Sequence, residues 1–235
     1  IVVNKIINYL NPSNNGEWKN MICIVADDED GNAHMADAEG LALMLQDSVP
    51  EYNTEKIYLD AFRQETSASG QTYPTVTIAI NNRINSGCLV FNYIGHGNEN
   101  GLAKEMVIKT EDINSWKNGS RLPLFITATC EFSRFDDADM NPATKVFTPR
   151  TSAGEMVLLN PDGGGIALML TTRVVYSAPN YYLNRNIYDA LFDKNESGGP
   201  LALGDIIRIA KNNSGNSSNK RNFSLLGDPA IIPAY

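Results

Sequence analysis

The sequence predicts an α/β protein built on a mostly parallel sheet, and two patterns support this fold class. Short apolar runs of about five residues alternate with segments whose apolar residues recur at helical spacing. Several runs are apolar throughout, as expected for parallel strands that helices cover on both faces. Strands and helices that alternate in this way form βαβ units with right-handed crossovers. A chain of 235 residues is long enough for one large domain.

The predicted elements follow one another along the chain. The first strand is the apolar run Met21–Ala26, which ends in an acidic loop. Further strands are predicted at residues 55–59, 88–94, 122–128, 166–170 and 231–232. Helical spacing predicts a helix at 35–45, and a proline near the start favours another at 74–85. Residues 211–221 are rich in Asn, Ser and Gly and are predicted to form a surface loop.

The composition excludes several classes of protein. With 19 Lys and Arg against 27 Asp and Glu, the net charge is −8, so we expect no nucleic-acid partner. No apolar run approaches the ~20 residues that a membrane-spanning helix needs. Three scattered cysteines form neither a disulfide framework nor a zinc ribbon, and two histidines leave little material for a multi-histidine metal site.

Two reactive side chains follow successive predicted strands. His96 comes just after the third strand and Cys130 directly after the fourth. Ligands bind beyond the carboxyl ends of parallel strands, and adjacent strands lie about 4.8 Å apart, so the two side chains are within reach of each other if the third and fourth strands are neighbours. Such a histidine can take the proton of a thiol that attacks a carbonyl. The backbone amides of Gly97 and Cys130 are candidates for an oxyanion hole.

The other cysteines and the other histidine are interpreted differently. Cys23 and Cys88 lie in apolar strands and are expected to be core residues. His34 lies between the acidic loop and a helix, so a surface-loop position is favoured over a place in the site or a metal-binding role. Taken singly, His96 and Cys130 also suit a strand cap and a buried thiol, but their shared placement favours a catalytic pair.

The acidic loop after the first strand allows more than one interpretation. Asp27 or Asp28 orients the histidine or lines the pocket, unless the loop is simply solvated. Asp28 and Asp30 also place oxygen ligands at alternating positions, as calcium loops do, although the glycine and glutamate of a full calcium loop are missing. The acids at 136, 137 and 139 are a second, weaker candidate for a metal site.

Several segments resemble the gingipain family of cysteine peptidases. LVFNYIGHGN at 89–98 is similar to the histidine segment of the family, LFITATC at 124–130 to its nucleophile strand, and NFSLLGDP at 222–229 to a motif near the end of its catalytic domain. TATCEFSRFD at 127–136, NPDGGGIA at 160–167 and TTRVVY at 171–176 resemble the sortase branch that serves the type IX secretion system. The resemblance runs from about residue 18 to residue 235.

This resemblance implies a caspase-like three-layer α/β/α sandwich. Residues 1–235 would then be one cysteine peptidase catalytic domain, part of a longer secreted protein, with 1–17 as a lead-in. His96 would act as general base and acid, and Cys130 as nucleophile. No cofactor is required, and structural calcium is known in the family.

The sortase branch implies a more specific role at the outer-membrane surface of a Gram-negative bacterium. Its members remove the C-terminal signal domain of secreted cargo and are associated with transfer of the cargo to a surface amine. The implied partners are the cargo and other surface proteins of the secretion system.

One departure from the family and three hypotheses remain. Glu131 and Phe132 follow Cys130 where gingipains have a small, glycine-containing stretch, so Arg or Lys specificity is not implied, and Glu131 is a candidate pocket residue.

The chain is a sortase-type peptidase, a purely hydrolytic gingipain-like endopeptidase, or a non-catalytic binding module of the same fold. The presence of both His96 and Cys130 argues against the third hypothesis.

Overall fold

A six-stranded sheet lies at the centre of the computed structural model, which describes residues 1–68, 70–215 and 218–235. The strand order across the sheet is β6-β5-β4-β3-β1-β2, and β6 alone among these strands runs antiparallel to its neighbour. The strands are β1 Met21–Ala26, β2 Asn53–Tyr58, β3 Val90–Ile94, β4 Leu124–Ala128, β5 Ala167–Thr171 and β6 Phe223–Leu226.

Helices cover both faces of this sheet. Helices α2, α6 and α7 pack against one apolar cluster, and α3, α4 and α5 against another on the opposite face. In β1, Ile22 and Ile24 contact the first cluster, whereas Cys23 and Val25 contact the second, which explains why the whole run is apolar. The helices are α1 Val2–Tyr9, α2 Ala33–Ser48, α3 Pro74–Ser86, α4 Thr110–Ser115, α5 Ala153–Leu159, α6 Ser177–Leu191, α7 Leu203–Asn213 and α8 Asn219–Asn222.

Shorter elements connect these layers. Single helical turns span Glu17–Asn20, Asp30–Asn32 and Leu59–Ala61. In a three-stranded antiparallel ribbon, Gly101–Leu102 lies in the middle and pairs with Gly97–Asn98 on one side and Ile108–Lys109 on the other. Two-stranded ribbons pair Glu65–Ser67 with Gly70–Thr72, and Ala138–Met140 with Phe147–Pro149. None of the described helices is both long and apolar enough to span a bilayer.

Five of the six predicted strands are present, and the sixth is wrong. Residues 231–232 lie outside any strand, and the last strand of the sheet is Phe223–Leu226. Ile231 is nevertheless buried in the core, so the apolar run reflects packing of an irregular segment. Pro229 and Pro233 flank it, and proline cannot donate to a strand ladder.

Both predicted helices are present, and the predicted loop at 211–221 is largely wrong. Helix α7 continues to Asn213 and α8 begins at Asn219, while residues 216 and 217 lie outside the described part of the chain. The lead-in contributes α1, whose Tyr9 is buried in the core. Cys23 and Cys88 are fully buried, so their assignment to the core is confirmed.

Candidate active site

His96 and Cys130 line the same cleft at the carboxyl ends of β3 and β4. The last residues of these strands, Ile94 and Ala128, are paired in the sheet, and each candidate lies two residues further on. The cleft has a volume of about 180 Å³. The structure therefore brings the predicted pair to one site, as the parallel topology requires. The rest of the wall includes Asp30, His34, Val175, Tyr176, Ser177 and Asn180.

Cys130 is set apart from the other two cysteines by its exposure. Cys23 and Cys88 are buried, and burial raises the pKa of both thiols. Cys130 is partly exposed, and its thiol donates to the carbonyl oxygen of Val175 at 3.7 Å. A thiol that reaches a cleft can react with a ligand, whereas a core thiol cannot.

Asp27 fixes the backbone of His96 rather than its ring. It is completely buried, and its Oδ2 accepts the amide of His96 at 2.8 Å. The hydroxyl of Tyr93 donates to the carbonyl oxygen of His96 at 2.8 Å. Burial raises the pKa of Asp27, and the hydrogen bond from the His96 amide opposes this shift. Gly95 allows the close approach, because a Cβ there would lie 2.3 Å from the Cβ of Asp27.

Asp30 is the carboxylate that contacts the imidazole of His96. Its Oδ2 lies 3.2 Å from Nε2 of His96 and 3.3 Å from Nε2 of His34. Asp30, Gly31 and Asn32 all have positive φ angles (59°, 61° and 70°), and this turn carries the chain from β1 into α2. The predicted orienting acids were Asp27 and Asp28, so the residue that touches the ring lies two or three positions further along.

His34 belongs to the site, and the favoured surface-loop position is wrong. It lies in the first turn of α2, is only 5% exposed, and meets the ring of His96 edge-on, with 5.3 Å between the ring centroids. Burial lowers the pKa of His34, and the neighbouring imidazole of His96 lowers it further. The four-residue spacing from Asp30 to His34 at a helix start is the sequence signal for this contact.

The two backbone amides predicted for an oxyanion hole have no acceptor among the described residues. The amide of Ala103 donates to the carbonyl oxygen of His96 at 2.9 Å. The neighbouring pair in this antiparallel ribbon, Gly97 and Leu102, is therefore of the non-hydrogen-bonded type, and the Gly97 amide points away from its partner strand. The Cys130 amide likewise donates to none of the described residues. A Cβ on Gly97 would lie 2.6 Å from Oγ1 of Thr129, so the backbone of Gly97 lies against the side chain of the residue before Cys130.

The structure places Asp28 and Asp30 in different clusters. Asp28 accepts the hydroxyl of Tyr73 at 2.7 Å and groups with Asp27 and Glu105, whose ligand atoms lie within 4.8 Å of one another. Asp30 groups instead with His34 and His96. The predicted calcium pair is therefore divided between two clusters, and calcium binding by this loop stays a prediction.

The acidic residues after Cys130 contact arginines. Glu131 has a positive φ of 51°, and its carboxylate lies 3.4 Å from Arg134. Asp136 pairs with Arg173 at 2.6 Å, and Asp137 with Arg150 at 2.9 Å. These ion pairs give the acids structural partners, so neither a pocket role for Glu131 nor the second metal site gains support.

Comparison with solved structures shows the same fold in known peptidases. The crystal structure of the Arg-specific cysteine proteinase gingipain R (RgpB) matches with a TM-score of 0.75 and 16% identity, over 99% of this chain and 52% of that chain. The complex of Porphyromonas gingivalis RgpB pro- and mature domains matches with a TM-score of 0.71 and 16% identity, over 99% and 53%. The Saccharomyces cerevisiae separase–securin complex matches with a TM-score of 0.58 and 11% identity, over 96% of this chain and 13% of that chain.

These likenesses confirm the predicted caspase-like α/β/α sandwich. The chain spans about half the length of the gingipain chains that it matches. No curated protein matches it. The family model described as Peptidase family C25 matches residues 1–234. Since this match leaves out a single residue, the chain belongs to peptidase family C25, the gingipain family of cysteine peptidases.

Proposed function

We propose that this chain is the catalytic unit of a thiol-dependent endopeptidase, with Cys130 as nucleophile and His96 as general base. The observation that carries the proposal is their shared cleft at the ends of two paired parallel strands. Family membership supports the reaction class, and the partial exposure of Cys130 gives a substrate access to the sulfur.

The chemistry follows from the residues around the cleft. His96 takes the proton of Cys130, and the thiolate attacks the carbonyl carbon of the scissile peptide bond. The unpartnered amides of Gly97 and Cys130 are available to stabilise the oxyanion that forms. His96 then protonates the leaving amine, which leaves the acyl group on Cys130 as a thioester. Water or another amine attacks the thioester and releases the acyl group.

Asp30 and Asp27 position His96 for this role. Asp30 contacts the ring at Nε2, which leaves Nδ1 to exchange the proton with the thiol. Asp27 holds the backbone of the same residue through its amide. One carboxylate therefore orients the ring while the other fixes the loop that carries it.

The experiment compares Cys130→Ala with the unmodified chain on a peptide substrate and on a peptidyl chloromethyl ketone, which alkylates active-site thiols as chloride leaves. We expect Cys130→Ala to lose cleavage by at least about 10³-fold and to escape labelling, while its circular dichroism is unchanged. Cys88→Ala is the matched control, since it removes a thiol that no substrate reaches. Cleavage retained by Cys130→Ala would overturn the proposal, and a folded chain that binds peptides without cleaving them would favour the binding module.

We further propose that the enzyme is a sortase of the PorU type. Its substrate would be secreted cargo, from which it removes the C-terminal signal domain at the outer-membrane surface. The supporting observations are the segments at 127–136, 160–167 and 171–176, which resemble this branch of the family. Other surface proteins of the type IX secretion system would be its partners. Transfer of the acyl group to an amine uses the same thioester as hydrolysis, so the proposed site serves both reactions.

The purely hydrolytic endopeptidase is distinguished by its products. Incubation with a cargo junction peptide and an excess of a small amine gives an amine adduct if the chain is a transpeptidase. Release of the free acid alone, at every amine concentration, would favour the hydrolytic alternative. Cleavage of unrelated peptides at a similar rate would count against specificity for the signal junction.

A further inference from the structure

We propose that Asp30, His34 and His96 form a binding site for a divalent first-row transition metal, best suited to Zn²⁺, and that the bound ion reversibly inactivates the cleft. One ligand atom from each residue lies within 4.8 Å of the other two. The inactivation rests on the proposed peptidase function, whereas the binding site does not.

The distances match those between ligands of a small tetrahedral ion. Ligand atoms bound to zinc at 2.0–2.1 Å are about 3.3 Å from one another in a tetrahedron. The Oδ2 atom of Asp30 lies 3.3 Å from Nε2 of His34 and 3.2 Å from Nε2 of His96. Two of the three distances between these ligand atoms therefore already match those around a tetrahedral zinc ion.

The buried nitrogens of the two histidines have no other partner. His34 is 5% exposed, and neither of its ring nitrogens has a hydrogen-bond partner among the described residues. Nε2 of His96 is also buried without a hydrogen-bond partner among the described residues, although Oδ2 of Asp30 lies 3.2 Å from it. An unpaired nitrogen in the interior is costly, and coordination would satisfy both nitrogens at once.

The donor set selects the class of metal. Two imidazole nitrogens and one carboxylate oxygen suit zinc and its first-row neighbours, whereas calcium and magnesium prefer oxygen ligands throughout. Three protein ligands leave one position open to the cleft, as in zinc sites that exchange a ligand. This set differs from the acidic cluster of Asp27, Asp28 and Glu105, which lacks nitrogen ligands.

Coordination at Nε2 would prevent His96 from acting as a base. A neutral imidazole that gives its Nε2 lone pair to a metal carries its proton on Nδ1. The ring then has no lone pair with which to accept the proton of Cys130. Removal of the metal restores the free base, so the ion would keep the peptidase latent without any change of fold.

The test measures Zn²⁺ binding by calorimetry on the chelator-treated chain, and then cleavage of a peptide with and without Zn²⁺. We expect one Zn²⁺ per chain, and binding weakened at least ~10²-fold by His34→Gln and by Asp30→Asn. Glu29→Gln is the matched control, since this neighbouring acid pairs with Lys104 on the surface and should leave Zn²⁺ binding unchanged. Asp30→Asn keeps the test decisive if His34→Gln fails to fold.

Each outcome separates the metal site from the proposed function. Equal Zn²⁺ affinity in the original chain and in both variants, or no stoichiometric binding, would overturn the site. Zn²⁺ binding by a chain that never cleaves peptides would support the site and count against the peptidase. Cleavage that continues with the site saturated would overturn the inactivation, whereas loss of cleavage that a chelator reverses would support it.

Discussion

Asp30 is the one of the four consecutive acids after β1 whose carboxylate contacts the ring of His96. It reaches the ring because three successive residues with positive φ turn the chain between β1 and α2. We expect Asp30→Asn to lower kcat by about 10²-fold, since an amide holds the imidazolium less well than a carboxylate does. KM should change little. The assay contains a chelator, so that any effect on metal binding is removed.

Glu29→Gln serves as the control for this prediction. It removes an acid from the same loop, but one whose carboxylate pairs with Lys104 at 2.9 Å. Its kcat should stay within about twofold of the original value. Equal loss of kcat in both variants would show that the overall charge of the loop matters, and that Asp30 has no special role.

Gly95 leaves no room for a side chain where the backbone enters the site. A Cβ there would meet the Cβ of Asp27 at 2.3 Å and the hydroxyl of Tyr93 at 2.8 Å. We expect Gly95→Ala to lower the free energy of unfolding by about 1–3 kcal/mol, measured in urea, and to reduce cleavage by displacing the His96 backbone. Gly199→Ala is the control, because its Cβ would meet nothing closer than 3.4 Å. Equal stability of the two variants would contradict this account.

The placement of the site residues was only partly predictable from the sequence. Parallel strands end at one edge of the sheet, so the proximity of His96 and Cys130 followed from topology alone. Which acid contacts His96 could not be predicted, because the contact depends on the positive φ of Asp30, and the sequence of the acidic loop does not dictate that conformation. His34 falls outside the predicted helix because that helix begins at residue 35, whereas α2 begins at Ala33 and places His34 in its buried first turn.

At the scale of elements, a buried asparagine pair joins α6 to the strand that leads to His96. Asn92 of β3 and Asn184 of α6 exchange hydrogen bonds through their amides at 2.9 and 3.1 Å, and Tyr188 adds a third contact. Both asparagines are fully buried. Because the N-terminal turn of α6 contributes to the wall of the cleft, this pair sets the register of that wall against β3.

We expect Asn184→Ala to lower the free energy of unfolding by about 1–3 kcal/mol, because it leaves the buried carbonyl of Asn92 without its donor. Replacement of both asparagines by leucine should cost less than the sum of the single replacements, since no polar group is then left unpaired. Asn186→Ala, on the same helix but partly exposed, should cost about 0.5 kcal/mol or less. Urea unfolding of these alanine and leucine variants is the measurement, and equal costs of Asn184→Ala and Asn186→Ala would contradict the prediction.

The buried strands of the sheet could be predicted from the sequence more easily than the last edge strand. Four of them, β1, β3, β4 and β5, are buried runs of mainly apolar residues between two helical layers, and that burial dictates their composition. The strand β2 lies at one edge of the sheet, where only Ile57 is buried. The sixth strand lies at the edge of the sheet, where only Phe223 is fully buried and the other positions are half-buried. A half-covered edge strand carries a weak apolar signal, so the sequence predicts a strand at the short apolar run 231–232 and none at 223–226.

At the scale of the whole molecule, α1 is attached to α5 by a buried lysine. Lys5 donates to the carbonyl oxygens of Leu158 at 2.8 Å and Val157 at 3.4 Å, although about 150 residues separate them in sequence. These carbonyls belong to the last turn of α5, where the helix dipole favours a positive charge. Burial outweighs this and lowers the pKa of Lys5 to about 8.

The lowered pKa of Lys5 predicts how the stability of the chain depends on pH. Between about pH 8 and the ordinary lysine value of 10.5, the unfolded chain holds the proton while folded Lys5 has lost it. The unfolded state then binds more protons, so the contribution of Lys5 to the free energy of unfolding rises with pH across this window. Below pH 8 the folded protein bears the full cost of a buried charge.

Lys5→Met removes this titration while keeping a long apolar side chain in place. We expect the difference in free energy of unfolding, original chain minus variant, to increase steadily from pH 8 to pH 10, measured by urea unfolding at each pH. Taking the difference cancels the groups that titrate in both proteins. A difference that stays constant across the window, or that decreases, would show that Lys5 keeps its charge in the folded state and that its two carbonyl partners compensate for its burial.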